Sequence, residues 1–386
     1  MTRPLKIAIV AGEESGNQLG ADLVRALKTT SGREVELVGV GGAELQVLGL
    51  TSLFDPGEIA LMGVTAILRD LPRLMRRIGE TARAIADARP DCLVTIDSPE
   101  FGLRVARKVR AANPGIPIIQ YVCPSVWAWR PERAPKMRGF IDHILCILPF
   151  EPAELERLGG PPGSFVGHRL SHDAGVASAA AAQAARGVRQ GEKTLLILPG
   201  SRKSEVRALI GPFGQAVAEL RKRGVALRLL FPTVPHVADL VAESTAGWGQ
   251  NPEIALGAEG KWRAFGEADA ALAASGTVSL ELALARVPTV LCYKNDGLAR
   301  LLYRLVTVWS AALPNLIADR PVVPEHFDHF IRPAYLARQL ENLMNDSAGR
   351  RAQLQGFDEV AERMRTDRPA GELAAEVVLK TIGSRP

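Results

Sequence analysis

The sequence predicts an α/β protein made of two doubly wound, parallel-sheet domains, and three observations carry that expectation. Short runs rich in Ile, Val and Leu recur between stretches of helical periodicity, at residues 7–11, 35–40, 92–96, 116–122 and 144–148, then at 194–198, 226–231, 254–256, 270–274 and 289–293. Several of these runs are apolar throughout, as parallel strands covered by helices on both faces must be. Between the two sets the alternation pauses in an alanine-rich segment that opens at Asp173. At 386 residues the chain is long enough for two separate cores. The expected division is a first domain over 1–172, a linker over 173–192, a second domain over 193–357 and a helical tail over 358–386.

In the first half, the strand at 7–11 runs into Ala11-Gly12-Glu13-Glu14-Ser15-Gly16-Asn17 and a helix carrying Leu19, Leu23 and Leu27 on one face. Glycines permit a close turn there, and Ser15 or Asn17 can cap the helix. The loop is neither a dinucleotide fingerprint nor a phosphate loop, and its glutamates repel a pyrophosphate. The strand at 92–96 ends in Asp97-Ser98-Pro99-Glu100. A carboxylate at the carboxyl end of a parallel strand can take a proton from a substrate hydroxyl, and a second carboxylate nearby can raise its pKa; a helix cap is the alternative role for Asp97. After the strand at 116–122 comes Cys123-Pro-Ser-Val-Trp-Ala-Trp-Arg130, in which at least one of Trp127 and Trp129 is expected to leave the core.

The second half holds two loops suited to anions. Pro199-Gly200-Ser201-Arg202-Lys203 follows a strand and opens a helix, so backbone N–H groups, helix dipole and cations converge. Ser275-Gly276-Thr277, before a helix that contains Glu281, lets a diphosphate approach a helix start and offers a carboxylate to ribose hydroxyls. The tail beyond Asp358 is polar and helical, interrupted at Pro369.

Composition narrows the function classes. With 47 Lys and Arg against 42 Asp and Glu, 47% hydrophobic and 23% charged residues, the chain reads as globular rather than disordered. No basic block is interleaved with aromatics, so nucleic acid is not an expected partner. Cys92, Cys123, Cys146 and Cys292 form no CxxC pair and read as reduced thiols of a cytoplasmic chain. The N-terminal apolar stretch is cut short at Gly12, too early for a signal peptide, and no run is long enough to span a bilayer. There is no Asp-x-Asp, no HExxH and no GxSxG, so neither a metal-dependent mechanism nor an ordinary hydrolase is expected. One stretch, 58–77, mixes Met62, Val64, Ile67 and Leu68 with Arg69, Arg73, Arg76 and Arg77. Such a basic amphipathic segment can lie on an anionic membrane, or it is an ordinary surface helix packed on its sheet.

Taken in order, these loops resemble the lipid A disaccharide synthases, inverting glycosyltransferases (family 19) of GT-B architecture. The resemblance runs from about Lys6 to about Pro324 and rests on Ala11-Gly-Glu-Glu-Ser-Gly16, Gly39-Val-Gly-Gly42, Glu58-Ile-Ala-Leu-Met-Gly63, Ile96-Asp-Ser-Pro99, Pro124-Ser-Val-Trp-Ala-Trp-Arg130, Leu148-Pro-Phe-Glu151, Phe165-Val-Gly-His168, Leu198-Pro-Gly-Ser-Arg-Lys-Ser-Glu205, Ala274-Ser-Gly-Thr277 and Leu313-Pro-Asn315. It implies two Rossmann-like domains facing a cleft. It also implies a reaction in which UDP-2,3-diacylglucosamine and 2,3-diacylglucosamine 1-phosphate give a β-1,6-linked disaccharide and UDP, without metal or other cofactor.

By resemblance Asp97 is the general base, and Glu13 and Ser15 match catalytic residues of the family at the cleft. Arg202 and the Gly200-Ser201 backbone hold the diphosphate, Ser275, Gly276 and Thr277 add N–H donors, Glu281 takes the ribose, and Asn315 lies near the nucleotide. The 58–77 stretch becomes the acyl and membrane contact, placing the protein on the inner face of the cytoplasmic membrane; a homodimer is compatible with the same reading. Asn17, Glu100, Gly102, His172 and Ala312 depart from the family's usual residues. The rival readings are another UDP-sugar enzyme of the same architecture, such as a 2-epimerase or a soluble-acceptor transferase, and a non-catalytic nucleotide or lipid carrier.

Overall fold

Twelve strands among the described residues form two parallel six-stranded sheets, each with its own helices. The structure is a computed structural model that describes residues 3–60, 64–249, 252–294 and 306–384, with the side chains of 60 and 64–70 outside that description. In the first sheet β1 (Leu5–Ala11), β2 (Val35–Val40), β3 (Cys92–Ile96), β4 (Ile118–Tyr121), β5 (His143–Cys146) and β6 (Gly163–Phe165) lie in the order β2-β1-β3-β4-β5-β6. In the second, β7 (Lys193–Leu198), β8 (Leu227–Thr233), β9 (Glu253–Leu256), β10 (Ala270–Ala274), β11 (Thr289–Tyr293) and β12 (Glu325–Phe327) lie in the order β12-β11-β10-β7-β8-β9.

This strand order decides where chemistry can occur. The chain leaves β1 for β2 on one side and returns to β3 on the other, so the loops after β1 and β3 diverge at a topological switch point. The same reversal falls between β7 and β10 in the second sheet. Pairing of Ala11 with Ile96 brings the ends of β1 and β3 to one level, and pairing of Leu198 with Ala273 does so for β7 and β10. The sequence-identified loops at residues 12–17, 97–100, 199–203 and 275–277 therefore flank the two switch points.

The domain boundaries differ from the sequence expectation at both ends of the second half. One unit comprises residues 1–169 with 366–386, the other 170–365. The expected linker is mostly helix α8 (Ala174–Arg186), started by Asp173, whose carboxylate accepts the Gly175 and Val176 N–H groups. This helix belongs to the second unit: buried Gln183 donates to the Phe265 and Ala268 carbonyls at the end of α11 (Gly257–Glu267). Its alanines permit close packing, which explains a composition that resembled a connector.

The expected tail is likewise divided. Helix α15 (Ala348–Met364) buries Phe357 and Val360 in the second unit, whereas α16 (Ala370–Gly383) returns to the first unit and packs Ala374, Ala375 and Val378 with α1 (Glu14–Ser31). At Gly371 a Cβ would stand 3.0 Å from the Asp22 backbone, so the small residue allows that contact. Strands β6 and β12, three residues each, went unseen in the sequence because Gly-Ser-Phe and Glu-His-Phe carry no apolar run.

Candidate functional site

In the first unit, Asp97 and Ser98 follow β3 with φ of 51° and 39°, two consecutive left-handed residues. This conformation suits Asp better than most side chains and turns the chain sharply out of the sheet. Asp97 is half-buried. Its carboxyl is held above the ordinary carboxylate range by burial, against an opposing hydrogen bond from the Ser98 N–H. The expected role of a second carboxylate is not what raises it. Burial pushes Glu100 up as well, but the hydrogen bond from Arg133 and the charges of Arg133, Arg104 and Arg130 outweigh that and hold Glu100 below its ordinary value. Burial and the arginines thus shift the two carboxyls in opposite directions, a separation that can give them different acid–base roles.

The loop after β1 meets this turn: a Cβ on Gly12 would lie 3.1 Å from the Ser98 hydroxyl. Glu13 and Ser15 are exposed beside it, at the start of α1. Neither Ser15 nor Asn17 caps the helix. Glu13 occupies the cap position without a side-chain cap, and Asn17 is buried, donating to the Glu13 carbonyl at 2.9 Å and accepting from the Gly42 N–H. The two indoles separate as expected. Trp127 packs on the core, edge-on to Phe150 at 5.0 Å, and donates to Glu151, while Trp129 carries the Arg130 guanidinium over its ring at 4.4 Å.

One group of ligand-type side chains occurs among the described residues, Cys123, Cys146 and Glu151, all buried with their ligand atoms within 4.8 Å of one another. No sequence spacing announces it. Glu151 accepts the Trp127 indole N–H and the Ile147 and Leu148 backbone N–H groups, so its carboxylate already orders the loop after β5; burial pushes it up to about 7. Its folded value lies above the unfolded one, so this group's stability contribution is present at low pH and is lost as pH rises towards 7.

In the second unit a cavity of about 570 Å³ opens where β7, β8 and β10 end. That size suits a nucleotide. Gly200, Ser201, Arg202, Ser275, Gly276, Thr277 and Glu281 all line it, so the structure gathers seven of the eight nucleotide-site residues expected from sequence. Thr233, Val234, Pro235, Ala258 and Lys261 are among the other lining residues and were missed. The hydroxyl of Thr233 is buried there and has no partner among the described residues. Lys261 pairs with Glu281 at 2.9 Å, so the carboxylate expected to take ribose carries a cation beside it. His236 reaches the Ser201 carbonyl at 2.8 Å.

Two expectations need correction here. The Ser201 and Arg202 N–H groups donate to Glu205 (3.1 and 3.2 Å), which reaches back from the first turn of α9 (Lys203–Lys222) as a capping-box glutamate does. The same carboxylate group pairs with the Arg202 guanidinium at 3.0 Å. The anion donors of this loop are therefore already held by an internal carboxylate. Asn315 does not line the cavity. It is buried, donates to Ser310, Val323 and Glu325, and accepts from the Val322 and Val323 N–H groups, so it shapes the segment before β12.

Gly200 is required by both conformation and space: its φ is 115°, and a Cβ would stand 2.6 Å from the Glu205 Cβ. Gly200→Ala is expected to destabilise the second unit by about 1–3 kcal/mol, the usual cost of a forced left-handed residue. Thermal unfolding checks this, and an unchanged midpoint would show that the loop is not constrained.

The basic stretch is helix α4 (Val64–Ala88), preceded by α3 (Gly57–Ala60). Met62 lies outside the described residues, as do the side chains of Val64, Ile67, Leu68 and Arg69. Leu74, Ile78, Ala82 and Ile85 face the core, leaving Leu71 and Met75 exposed. Arg77 is mostly covered, bonded to Glu58 at 2.9 Å and stacked over Phe54, which makes it a fixture of the fold rather than a free surface cation. Arg73 pairs with Glu58 and Arg76 with Glu80 from exposed positions.

A family profile described as lipid-A-disaccharide synthetase matches residues 7–377. The chain belongs to that family. Among curated relatives, lipid-A-disaccharide synthases of Nitrobacter winogradskyi and Bradyrhizobium diazoefficiens are each 44% identical over 380 residues, covering 98% of this chain and 96% of theirs. The fold is shared more widely. A kitacinnamycin glycotransferase superposes with TM-score 0.63 at 16% identity, over 99% of this chain and 100% of that one. A Listeria monocytogenes protein described as a putative UDP-N-acetylglucosamine 2-epimerase does so at 0.59 and 14%, over 100% and 99%. The synthetase family thus keeps the GT-B architecture, and sequence rather than fold separates it from the epimerase reading.

Proposed function

We propose that the chain joins UDP-2,3-diacylglucosamine to 2,3-diacylglucosamine 1-phosphate, forming the β-1,6-linked disaccharide 1-phosphate of lipid A and releasing UDP. Family membership along residues 7–377 carries this reading. Asp97 is the general base: its raised carboxyl takes the proton of the acceptor 6-hydroxyl as that oxygen attacks the anomeric carbon, and a single displacement from the face opposite UDP inverts the centre. Glu13 and Ser15 stand at the acceptor side of that turn.

The second-unit cavity takes the nucleotide. The Arg202 guanidinium exchanges its exposed, weak pair with Glu205 for the diphosphate, while Glu205 keeps the two backbone N–H groups as a helix cap. The Gly276 and Thr277 N–H groups ahead of α12 (Val278–Leu284) add donors, whereas the Ser275 N–H, expected to join them, is spent on the Cys292 carbonyl at 2.9 Å; Glu281 with Lys261 faces the ribose, and Thr233 offers a hydroxyl. Leaving-group charge is met by these groups without metal. Donor comparison tests the lipid reading: diacylated UDP-glucosamine is expected to turn over, and acyl-free UDP-glucosamine derivatives are not. Equal turnover of both would point to a soluble-substrate enzyme.

No helix among the described residues is long and apolar enough to cross a membrane. We place the protein peripherally on the inner face of the cytoplasmic membrane through α4, where Leu71 and Met75 stand exposed next to Arg73 and Arg76. Partition onto anionic vesicles is expected to fall as salt rises, and to fall further in Arg73→Gln/Arg76→Gln, at about 1 kcal/mol per cation removed. Vesicle sedimentation checks this. Salt-independent partition, or none, would remove α4 from that role.

A further inference from the structure

The run at 116–122 is apolar except for Gln120, and that side chain is completely buried in β4. Every polar atom of its amide is used. The Thr95 hydroxyl donates to Gln120 Oε1 at 2.6 Å, and Nε2 is directed to three carbonyls, those of Asp97 (3.3 Å), Tyr121 (3.1 Å) and Val122 (3.2 Å). Carbonyl oxygens only accept, so three of them facing one end of the amide fix that end as the NH2 and the Thr95 side as the oxygen.

The partners of this amide are unusual. Asp97 and Val122 both have positive φ, 51° and 71°, and Ser98 continues the turn at 39°. For a β-branched residue such as Val122 that conformation is strained and persists only where the surroundings enforce it. A left-handed residue also turns its carbonyl away from the regular ladder, leaving an acceptor that must be satisfied when buried. The turns after β3 and β4 are already joined by the Asp97 N–H, which donates to the Tyr121 carbonyl at 3.0 Å. Gln120 adds the contacts that bind both strained carbonyls to one group. Gly102, on α5 (Pro99–Ala112), leaves the room for this arrangement: a Cβ there would stand 3.2 Å from the Thr95 Cβ and 3.6 Å from the Asp97 carbonyl oxygen.

We propose that Gln120 is a positioning residue for Asp97, holding the left-handed turn that aims the carboxyl, with the Thr95 hydroxyl fixing the orientation of the amide. The proposal rests on Asp97 being the general base. It predicts that Gln120 acts on the chemical step through Asp97 and not on nucleotide binding, which belongs to the second unit.

The test is steady-state kinetics and UDP titration on the full-length enzyme. Gln120→Leu is expected to lower kcat by about 10²-fold, the size of a small misplacement of a reacting group, with donor KM and UDP affinity unchanged. Thr95→Val is expected to lower kcat by about tenfold, and Thr95→Ser, which restores the hydroxyl, to recover it. The Asp97→Asn/Gln120→Leu double variant is expected to turn over no more slowly than Asp97→Asn alone, because one residue acts through the other. Fully additive losses, a kcat within about twofold of the parent for Gln120→Leu, or equal impairment of Thr95→Val and Thr95→Ser would overturn the proposal. Should Gln120→Leu fail to fold, the Thr95 pair decides. Near-native turnover of Asp97→Asn would instead refute the base assignment on which the proposal stands.

Discussion

Asp97→Asn is expected to lower kcat by roughly 10²–10⁴, the usual contribution of a general base, while UDP binding stays as it was. Asn keeps the shape of the side chain and tolerates the left-handed backbone at this position, so the change removes the proton acceptor and little else. The sign of the pH dependence follows from burial, which lifts the Asp97 carboxyl above its ordinary value. The acidic limb of kcat/KM should therefore fall above the pH at which an exposed aspartate titrates. Stability runs the other way. Because the folded value exceeds the unfolded one, the native state keeps its proton over a window in which the unfolded chain has lost it, and stability falls as pH rises through that window. Asp97→Asn removes this penalty and should be at least as stable as the parent near neutral pH. A variant that loses activity together with its fold would contradict the assignment.

Arg202→Ala is expected to weaken UDP and donor binding by about 10- to 100-fold, the worth of a charge-assisted hydrogen bond to a phosphate. The geometry makes this prediction specific. The Arg202 side chain is 79% exposed and, among the described residues, its guanidinium is held by Glu205, whereas that carboxylate also secures the helix start through the Ser201 and Arg202 N–H groups. Removing the side chain should leave the cap, and so the fold of the second unit, intact. Arg202→Lys keeps the charge without the planar fork and should fall between the two. Titration calorimetry with UDP reads the effect directly, and an unaltered affinity would mean that the diphosphate is held by the Ser275–Thr277 side of the cavity instead.

The strands and loops that flank both switch points were legible in the sequence because parallel strands covered on two faces leave unmistakable apolar runs, and the loops after them carry the polar chemistry; the strand order that makes them switch points came only with the fold. What stayed hidden depends on contacts between distant segments. Glu205 as occupant of the Ser201 and Arg202 N–H groups follows from capping-box spacing and could have been found. Thr233 and Lys261 could not, since only the fold brings the end of β8 and the body of α11 to the same cavity. Asn315 was misplaced for a related reason: its segment does reach the nucleotide loop, where the Ser275 hydroxyl donates to the Ala311 carbonyl at 3.2 Å, but a buried amide with five hydrogen-bond partners is consumed by the fold. The alanine-rich helix and the last helix read as connector and tail because small residues signal close helix packing as readily as they signal low complexity. Gln120 did leave a trace, as the one amide in an otherwise apolar strand.

The most direct measurement is UDP release from UDP-2,3-diacylglucosamine in detergent micelles containing EDTA, with and without 2,3-diacylglucosamine 1-phosphate. Release that requires the acceptor and persists with the chelator is the predicted result, since the proposed site supplies its positive charge from Arg202 and Lys261 and adds backbone N–H donors at Gly276 and Thr277. Acceptor-independent release, release abolished by EDTA, or UDP binding without turnover would contradict it.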